Sequence, residues 1–403
     1  MKRVQVEWEN DIPGYPTAHQ SRYDLDTLEL YKKTPVVVEG LGDSPPYQTW
    51  DKEHISKNIQ FIDYEECMKS DLALWEVLKQ LRQYGLVFIK NVPGENGPAA
   101  MGKRVGRLRD TFYGATWDVK SVPQAKNIAY THQFLGFHMD LMYMADPPGF
   151  QMLHCIHNSC KGGESMFTDS FKAVTEMESE DRRDLNHVMH FHYKNAGEHY
   201  QHGHRVVIYE QDIEEGNKEQ MGGMKKYIKY VSYSPPFQAP FAMKSGISHK
   251  ASLKRFRLFH KALTKFQAIT EKEENIFEYK MKEGEMVIFN NRRVLHARKA
   301  FEMGEGERWL KGGYMDTDVV LSKLRVLNAK FTNPKEYAQI MGWAKEPIEE
   351  LEESSEEKVL EGLEESSEEK PSEGLNESSE EKVLEGSKES SQEKPSEVLK
   401  ESS

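Results

Sequence analysis

Cysteine, long apolar runs and, toward the C-terminus, aromatic side chains are what this chain has least of. Its three cysteines, Cys67, Cys155 and Cys160, are spread through 403 residues. They are too few and too scattered for a disulfide framework or a structural zinc site, and they suit a reducing compartment. No stretch approaches the roughly 20 apolar residues of a membrane-spanning helix. The N-terminal sequence MKRVQVEWENDIPGYP has no apolar segment of the kind that directs secretion. The expectation is therefore a cytoplasmic protein with no membrane partner.

Residues 346–403 contain no Phe, Tyr or Trp and repeat every 12 residues: LEESSEEKVLEG from Leu351, LEESSEEKPSEG from Leu363, LNESSEEKVLEG from Leu375 and SKESSQEKPSEV from Ser387. Such a segment cannot bury enough apolar surface to offset its chain entropy, which predicts a disordered acidic tail. From Lys345 onward 21 Glu face 7 Lys, a net of −14 against −12 for the whole chain, so the preceding residues are close to neutral. Nothing in that balance points to a nucleic-acid partner.

Before the tail, two units are expected. Residues 1–60 read as an arm packed on the core, with one β-branched run, Thr34 to Gly40. Residues 61–345 begin with a helix carrying Leu72, Leu74, Trp75, Leu78 and Leu81, then the apolar strand Leu86-Val87-Phe88-Ile89. A second helix is predicted over AAMGKRVGRLRDTFYG, with Met101, Val105 and Leu108 on one face. A series of short strands follows: NIAYT, FHMDLMY, QMLHCIH, ESMFTDS, VVIYE, KYIKYVSY, MVIFNN, VLHARKA and WLKGGYMD. The amphipathic helix SLKRFRLFHKALTKFQAIT interrupts them. Many short strands with few helices predict a mainly β protein, an antiparallel jelly-roll with flanking helices.

His138-Met139-Asp140 is the most informative triplet. Side chains two apart on a strand project to one side, so His138 and Asp140 can share a face, with His296 as a third partner from a distant strand. Two imidazoles and one carboxylate form the facial set that leaves half of an octahedral iron sphere open for a co-substrate and dioxygen. A bare His-x-Asp can equally be a hydrogen-bonded strand end, and it is the surrounding sequence that separates the two. Arginine offers a planar, permanent cation for a dicarboxylate, and Arg292, Arg293, Arg298 and Arg308 all lie near or beyond the candidate strand of His296. His199, His202 and His204 in GEHYQHGHR could bind a metal but lack a supporting carboxylate or thiolate, and they read as a polar loop.

From about Asp63 to Leu327 the chain resembles the gamma-butyrobetaine dioxygenase and trimethyllysine dioxygenase family of Fe(II)- and 2-oxoglutarate-dependent hydroxylases. More distantly it is similar to taurine dioxygenase. The matching stretches are YGLVFIKNVPG, RVGRLRDTFYGATWDV, NIAYT, FHMDLMYMADPPGFQMLHCI, KGGESMFTDSF, VLHARKAF and RWLKGGYMDTDVVLSKLRVL. The resemblance implies a double-stranded β-helix core, Fe(II) held by His138, Asp140 and His296, and 2-oxoglutarate anchored by Arg308 with Ser165 lining its site. It also implies dioxygen as oxidant and ascorbate as a supporting reductant. Tyr113, Trp117, Tyr130 and Tyr314 fall on positions of an aromatic cage for a quaternary ammonium, which donates no ordinary hydrogen bond and is held by ring faces. Asn127 matches a residue that holds the substrate carboxylate.

The implied reaction is hydroxylation of a trimethylammonium compound, gamma-butyrobetaine to L-carnitine or a close analogue. The alternatives are trimethyllysine, another quaternary amine or a sulfonate, and, in another class, a non-catalytic jelly-roll binding protein with an acidic interaction tail. A homodimer is left open. Three departures stand out, the first being Asn290-Asn291-Arg292 where the family has Asp-Asn-Trp before the distal histidine. Ser234-Pro235-Pro236 replaces paired asparagines, one of which contacts the substrate carboxylate, and proline cannot make that contact. The N-terminal zinc module of the animal enzymes is also missing, since no cysteine precedes Cys67.

Overall fold

The computed structural model describes residues 3–8, 19–25, 47–120, 131–195, 197–209, 228–241, 248–302, 306–333, 337 and 340–341. The predicted strands at Thr34 to Gly40 and NIAYT, the residues Asn127 and Tyr130, and the acidic repeats lie outside them, Thr131 excepted. Two sheets organise the rest. The larger has six strands: β3 (Phe61–Asp63), β4 (Leu86–Lys90), β5 (Thr116–Lys120), β7 (Phe150–Asn158), β14 (Met286–Asn290) and β16 (Arg308–Met315). In space their order is β3-β4-β14-β7-β16-β5, antiparallel except for β3 beside β4. The smaller sheet orders β13 (Phe277–Tyr279), β8 (Ser165–Asp169), β15 (Val294–Arg298) and β6 (Leu135–His138). The jelly-roll expectation is met.

The sheets face each other across rings and aliphatic chains. Phe167 of β8 meets Phe289 of β14 at 5.7 Å and Phe88 of β4 at 6.2 Å, both edge to face. Strand alternation explains the fit: each strand sends every second side chain inward, and the inward ones here are large and apolar. Helices cover the far side of the six-stranded sheet. The helix Asp71–Tyr84 is capped by Ser70, whose hydroxyl accepts from the Ala73 amide, and it stops at Gly85 with φ +73°. Only glycine adopts that left-handed conformation without strain, so the chain turns there directly into β4.

The buried face of that helix is Leu74, Val77, Leu78 and Leu81, while Leu72 is 52% exposed. Two residues are a 200° rotation on a helix, so Leu72 and Leu74 cannot share a face. The second predicted helix covers only Gly97–Val105. It ends at Gly106, where a Cβ would come within 2.6 Å of Val319, so close packing of the helix Thr317–Thr332 takes over. Leu108 lies past the helix end and still packs against the same cluster.

Residues 47–58 belong to the core. Trp50 is buried, its indole donates to the Tyr84 carbonyl at 2.7 Å, and the helix Lys52–Asn58 follows with Asp51 as its cap. Of the earlier residues, β1 (Arg3–Trp8) and β2 (His19–Asp24) form an antiparallel hairpin. A further antiparallel pair, β9 (Val188–Asn195) with β10 (Glu198–Arg205), corrects the polar-loop reading of GEHYQHGHR. Tyr200, His202 and His204 turn toward the protein and His199 and Gln201 outward, so polar residues on both faces hide the strand period. A short pair, β11 (Val207–Tyr209) with β12 (Ile228–Val231), completes the described strands.

Candidate functional site

β15 runs between β6 and β8, and the register sets His296 opposite His138 on one side and Phe167 on the other. The imidazole centroids of His138 and His296 are 4.1 Å apart. Asp140 joins them, and one ligand atom from each of the three side chains falls within 4.8 Å of the others. Among the described residues no other group of three or more His, Cys, Asp or Glu side chains is so arranged, which leaves the histidines of β10 without a metal-binding partner set. His204 instead sets its Nε2 2.8 Å from the Met144 carbonyl and is kept neutral by burial, its pKa pushed down to about 4.

The triplet is not one continuous strand. β6 ends at His138 and Asp140 stands in the turn beyond, with Leu141 at φ +59°. Its carboxylate still reaches the site, Oδ1 lying 3.4 Å from His138 Nε2. Burial opposes ionisation of Asp140, but its hydrogen bond to His138, the imidazoles and the Tyr314 hydroxyl outweigh that and hold it below the usual carboxylate range. His296 is pushed down to about 3, by burial first and by the neighbouring His138 second. A neutral imidazole beside an ionised carboxylate is the state in which both can donate electron pairs to a metal.

The donor set fits a ferrous ion on three observations. His138 Nδ1 lies 2.8 Å from the Gly136 carbonyl, which places the ring proton on Nδ1 and turns Nε2 toward Asp140. His296 Nδ1 is buried with no hydrogen-bond partner. Two imidazole nitrogens and one carboxylate oxygen match the ligand preference of ferrous iron with open positions.

One cavity of about 860 Å³, counting its mouth, holds these groups. Its wall includes Tyr113, Trp117, Tyr314, Ser165, Arg298 and Arg308, so eight of the ten residues singled out from the sequence are accounted for there; Asn127 and Tyr130 lie outside the described residues. β16 contributes at both ends. Arg308, Leu310 and Tyr314 line the cavity from its inward face, while Gly312 between them has no side chain. That gap is used: the cross-strand partner of Gly312 is Trp117, whose indole occupies the space a Cβ would take, 2.4 Å from its ideal position. Trp117 then stacks on Tyr314 at 4.1 Å and 24°, with Tyr113 6.2 Å from Trp117.

The arginines divide as their neighbours dictate. Arg293 is structural, its guanidinium paired with Asp169 at 2.8 and 3.0 Å and bonded to the Gln48 and Gln83 carbonyls. Arg292 is buried against Tyr230 and donates to the Ser232 hydroxyl at 3.2 Å. Arg298 donates to the carbonyls of Thr131 and Gln133. Arg308 is 7% exposed, its Nε has no partner, and no carboxylate among the described residues pairs with it. A buried cation that lines a cavity with no carboxylate partner among the described residues has the chemistry to receive an anion. At Gly163, with φ +74°, an added Cβ would stand 3.3 Å from Arg308 Cδ, so the absence of a side chain there gives the arginine room.

Sequence reasoning missed four features. Gln151 and Leu153 line the cavity from β7, and the Gln151 amide oxygen is buried without a partner. Tyr143 lies beside Tyr113 with a hydroxyl contact between them, and burial raises its pKa. Phe237 enters from the short helix Pro235–Phe237, so the segment that departs from the paired asparagines contributes a ring. Its signal was present, two residues past Pro235. Asn291, described below, lies in Asn290-Asn291-Arg292, which the sequence marks as a departure without giving Asn291 a role.

Comparison with known proteins gives the family. The family described as taurine catabolism dioxygenase TauD, TfdA family matches residues 46–314, and the chain belongs to it. It is a 2-oxoglutarate-dependent dioxygenase. Dioxygenase str8 of Strobilurus tenacellus is 35% identical over 343 residues, covering 80% of this chain and 74% of that protein. Gamma-butyrobetaine dioxygenase of Homo sapiens is 28% identical over 344 residues, covering 82% and 81%. Mitochondrial trimethyllysine dioxygenase of Rattus norvegicus is 27% identical over 339 residues, covering 81% and 74%. Among the described residues no helix is long and apolar enough to cross a membrane.

Proposed function

We propose that this protein holds Fe(II) on His138, Asp140 and His296, binds 2-oxoglutarate through Arg308 with Ser165 alongside, and hydroxylates a trimethylammonium compound, gamma-butyrobetaine first among them. The observation that carries the substrate class is the convergence of Tyr113, Trp117 and Tyr314 on the cavity that contains the three candidate ligands. A quaternary ammonium gains about 0.5–2 kcal/mol from each of these faces that it meets, over an uncharged group of the same shape.

Iron held there would supply the oxidising chemistry, with dioxygen as oxidant and 2-oxoglutarate as the donor that leaves as succinate and carbon dioxide. The protein's own contribution is placement. Arg308 fixes the distal carboxylate of the co-substrate, the rings fix the cationic end of the substrate, and Leu135, Leu153, Phe167 and Leu310 keep the space between them dry. Trimethyllysine, a longer quaternary amine, is the competing reading: Phe237 stands in the segment where a clamp for the shorter substrate's carboxylate was expected, which leaves room for a carboxylate held further from the rings.

Succinate release from purified protein with Fe(II), 2-oxoglutarate and a substrate panel tests the proposal. Gamma-butyrobetaine should exceed 5,5-dimethylhexanoate, its isostere with carbon in place of the cationic nitrogen, by at least the roughly 2- to 30-fold in kcat/KM that one cation–π contact supplies. Equal turnover of the two would remove the aromatic cage from the account. Faster turnover of trimethyllysine than of gamma-butyrobetaine would favour the second reading.

A further inference from the structure

The two carboxylate oxygens of Asp140 have different neighbours. Oδ1 faces His138 Nε2 at 3.4 Å, while Oδ2 accepts a hydrogen bond from the Tyr314 hydroxyl at 2.8 Å. The backbone of Asp140 is held as closely. Its N–H donates to Asn291 Oδ1 at 2.8 Å, and its carbonyl accepts from Asn291 Nδ2 at 3.0 Å. The same amide nitrogen donates to the Pro148 carbonyl at 3.1 Å, so both N–H groups and the oxygen of Asn291 are used.

This grip stands where the fold supplies none. β6 stops at His138, leaving Asp140 without ladder hydrogen bonds, and the next residue, Leu141, holds φ +59°, a conformation that L side chains rarely adopt. Asn291 is fully buried, and it follows directly on β14, which pairs with β4 and β7 in the rigid six-stranded sheet. Tyr314 is 2% exposed on β16 of the same sheet. Asp140, carried by a turn at the end of the small sheet, is thus held by two side chains from the large one.

We infer that Tyr314 and Asn291 are positioning residues for Asp140, and that Tyr314, whose ring stacks on Trp117, joins the substrate-binding rings to the metal-binding carboxylate. The inference rests on the proposed metal site. Its consequence is reciprocal: metal that fixes Asp140 also fixes the Tyr314 ring, so metal and quaternary ammonium each tighten binding of the other.

Mn(II) titration followed by the spin-resonance signal of the free ion reads this without turnover. Tyr314→Phe keeps the ring and loses only the hydroxyl, and its Mn(II) affinity should fall about 10- to 100-fold, the effect of losing a partner that orients a metal ligand. Gamma-butyrobetaine should tighten Mn(II) binding in the wild-type protein and cease to do so in Tyr314→Phe. Trp117→Leu should weaken binding of the amine with Mn(II) affinity within about twofold of wild type. Asn291→Ala adds the backbone half of the grip, and Tyr314→Phe keeps the inference testable should that variant not fold. Equal Mn(II) affinity in wild type and Tyr314→Phe would overturn the inference alone. A wild-type protein that binds no Mn(II), or binds it undiminished after His138→Ala, would overturn the metal site and the inference with it.

Discussion

Gly312→Ala places one methyl group where the indole of Trp117 now lies. The added Cβ would sit 2.4 Å from Trp117 Cε2 and Cζ2 and 2.9 Å from Nε1. Carbon atoms in ordinary contact stand about 3.5–4.0 Å apart, so the ring must retreat by about 1 Å or more. Trp117 is on β5, the outermost strand of the six-stranded sheet, so it can retreat outward and the stability cost should sit near the low end of the roughly 1–3 kcal/mol of an overpacked site. The retreat separates it from Tyr314, now stacked at 4.1 Å. Losing most of one ring's share of a cation–π contact, about 0.5–2 kcal/mol, raises the substrate KM by about 2- to 30-fold. Succinate release against substrate concentration at saturating 2-oxoglutarate measures this, and the KM for 2-oxoglutarate should stay within about twofold because Arg308 is untouched. Gly313→Ala is the control, since its methyl would meet Met152, Pro98 and Leu108 at 3.3–3.4 Å, on the opposite face of the strand. The reasoning is refuted if Gly312→Ala leaves the substrate KM unchanged, or if Gly313→Ala raises it as much.

Three further outcomes follow from the site and its supports. Arg308→Gln removes the buried cation and should weaken 2-oxoglutarate by about 10- to 150-fold, the worth of a charged hydrogen-bonded pair at about 1.5–3 kcal/mol, read by co-substrate titration. Asp169→Asn leaves Arg293 buried without its counter-ion and should cost about 3–5 kcal/mol in urea unfolding, since the side chains of both partners are at most 1% exposed. His154 is buried and its pKa is pushed by desolvation down to about 4 from an ordinary 6.5. The unfolded chain therefore binds the extra proton between those values, and stability present above pH 6.5 is lost as pH falls toward 4, by at most about 3 kcal/mol for this group. His154→Leu should flatten that slope in denaturation measured across the window, and an unchanged slope would assign the acid sensitivity elsewhere.

The candidate metal ligands were legible because their chemistry needs two residue types at a short spacing and a third on a partner strand. The supports were not. Asn291 stands 151 residues from Asp140 and touches only its backbone, so its place in Asn290-Asn291-Arg292 gives no sign of what it holds. Tyr314 was legible as a ring, while the acceptor of its hydroxyl depends on how β16 passes the turn after β6. Gly312 looks like any strand glycine until β5 is laid alongside it. Helix ends erred where long-range packing overrode local propensity, as at Gly106 against Val319. β10 was lost for a different reason: histidines on both faces of a strand erase the apolar alternation by which strands are found.

β16 carries Arg308 at its first residue and Tyr314 at its seventh, both on the inward face of one hydrogen-bonded strand. Six residues at about 3.3 Å each span roughly 20 Å along the backbone. Under the proposed function this strand is a ruler, with the anion of the co-substrate at one mark and the cation of the substrate at the other. Which carbon is oxidised is then set by bond count from the nitrogen, and loop changes around the mouth would alter affinity while leaving the oxidised position where it is. Only an insertion or deletion within β16 between Arg308 and Tyr314 would move the mark, and a shift of one residue turns every side chain beyond it to the other face. Regiochemistry in this fold is accordingly hard to drift, whereas tolerance toward the far end of the substrate is free to vary.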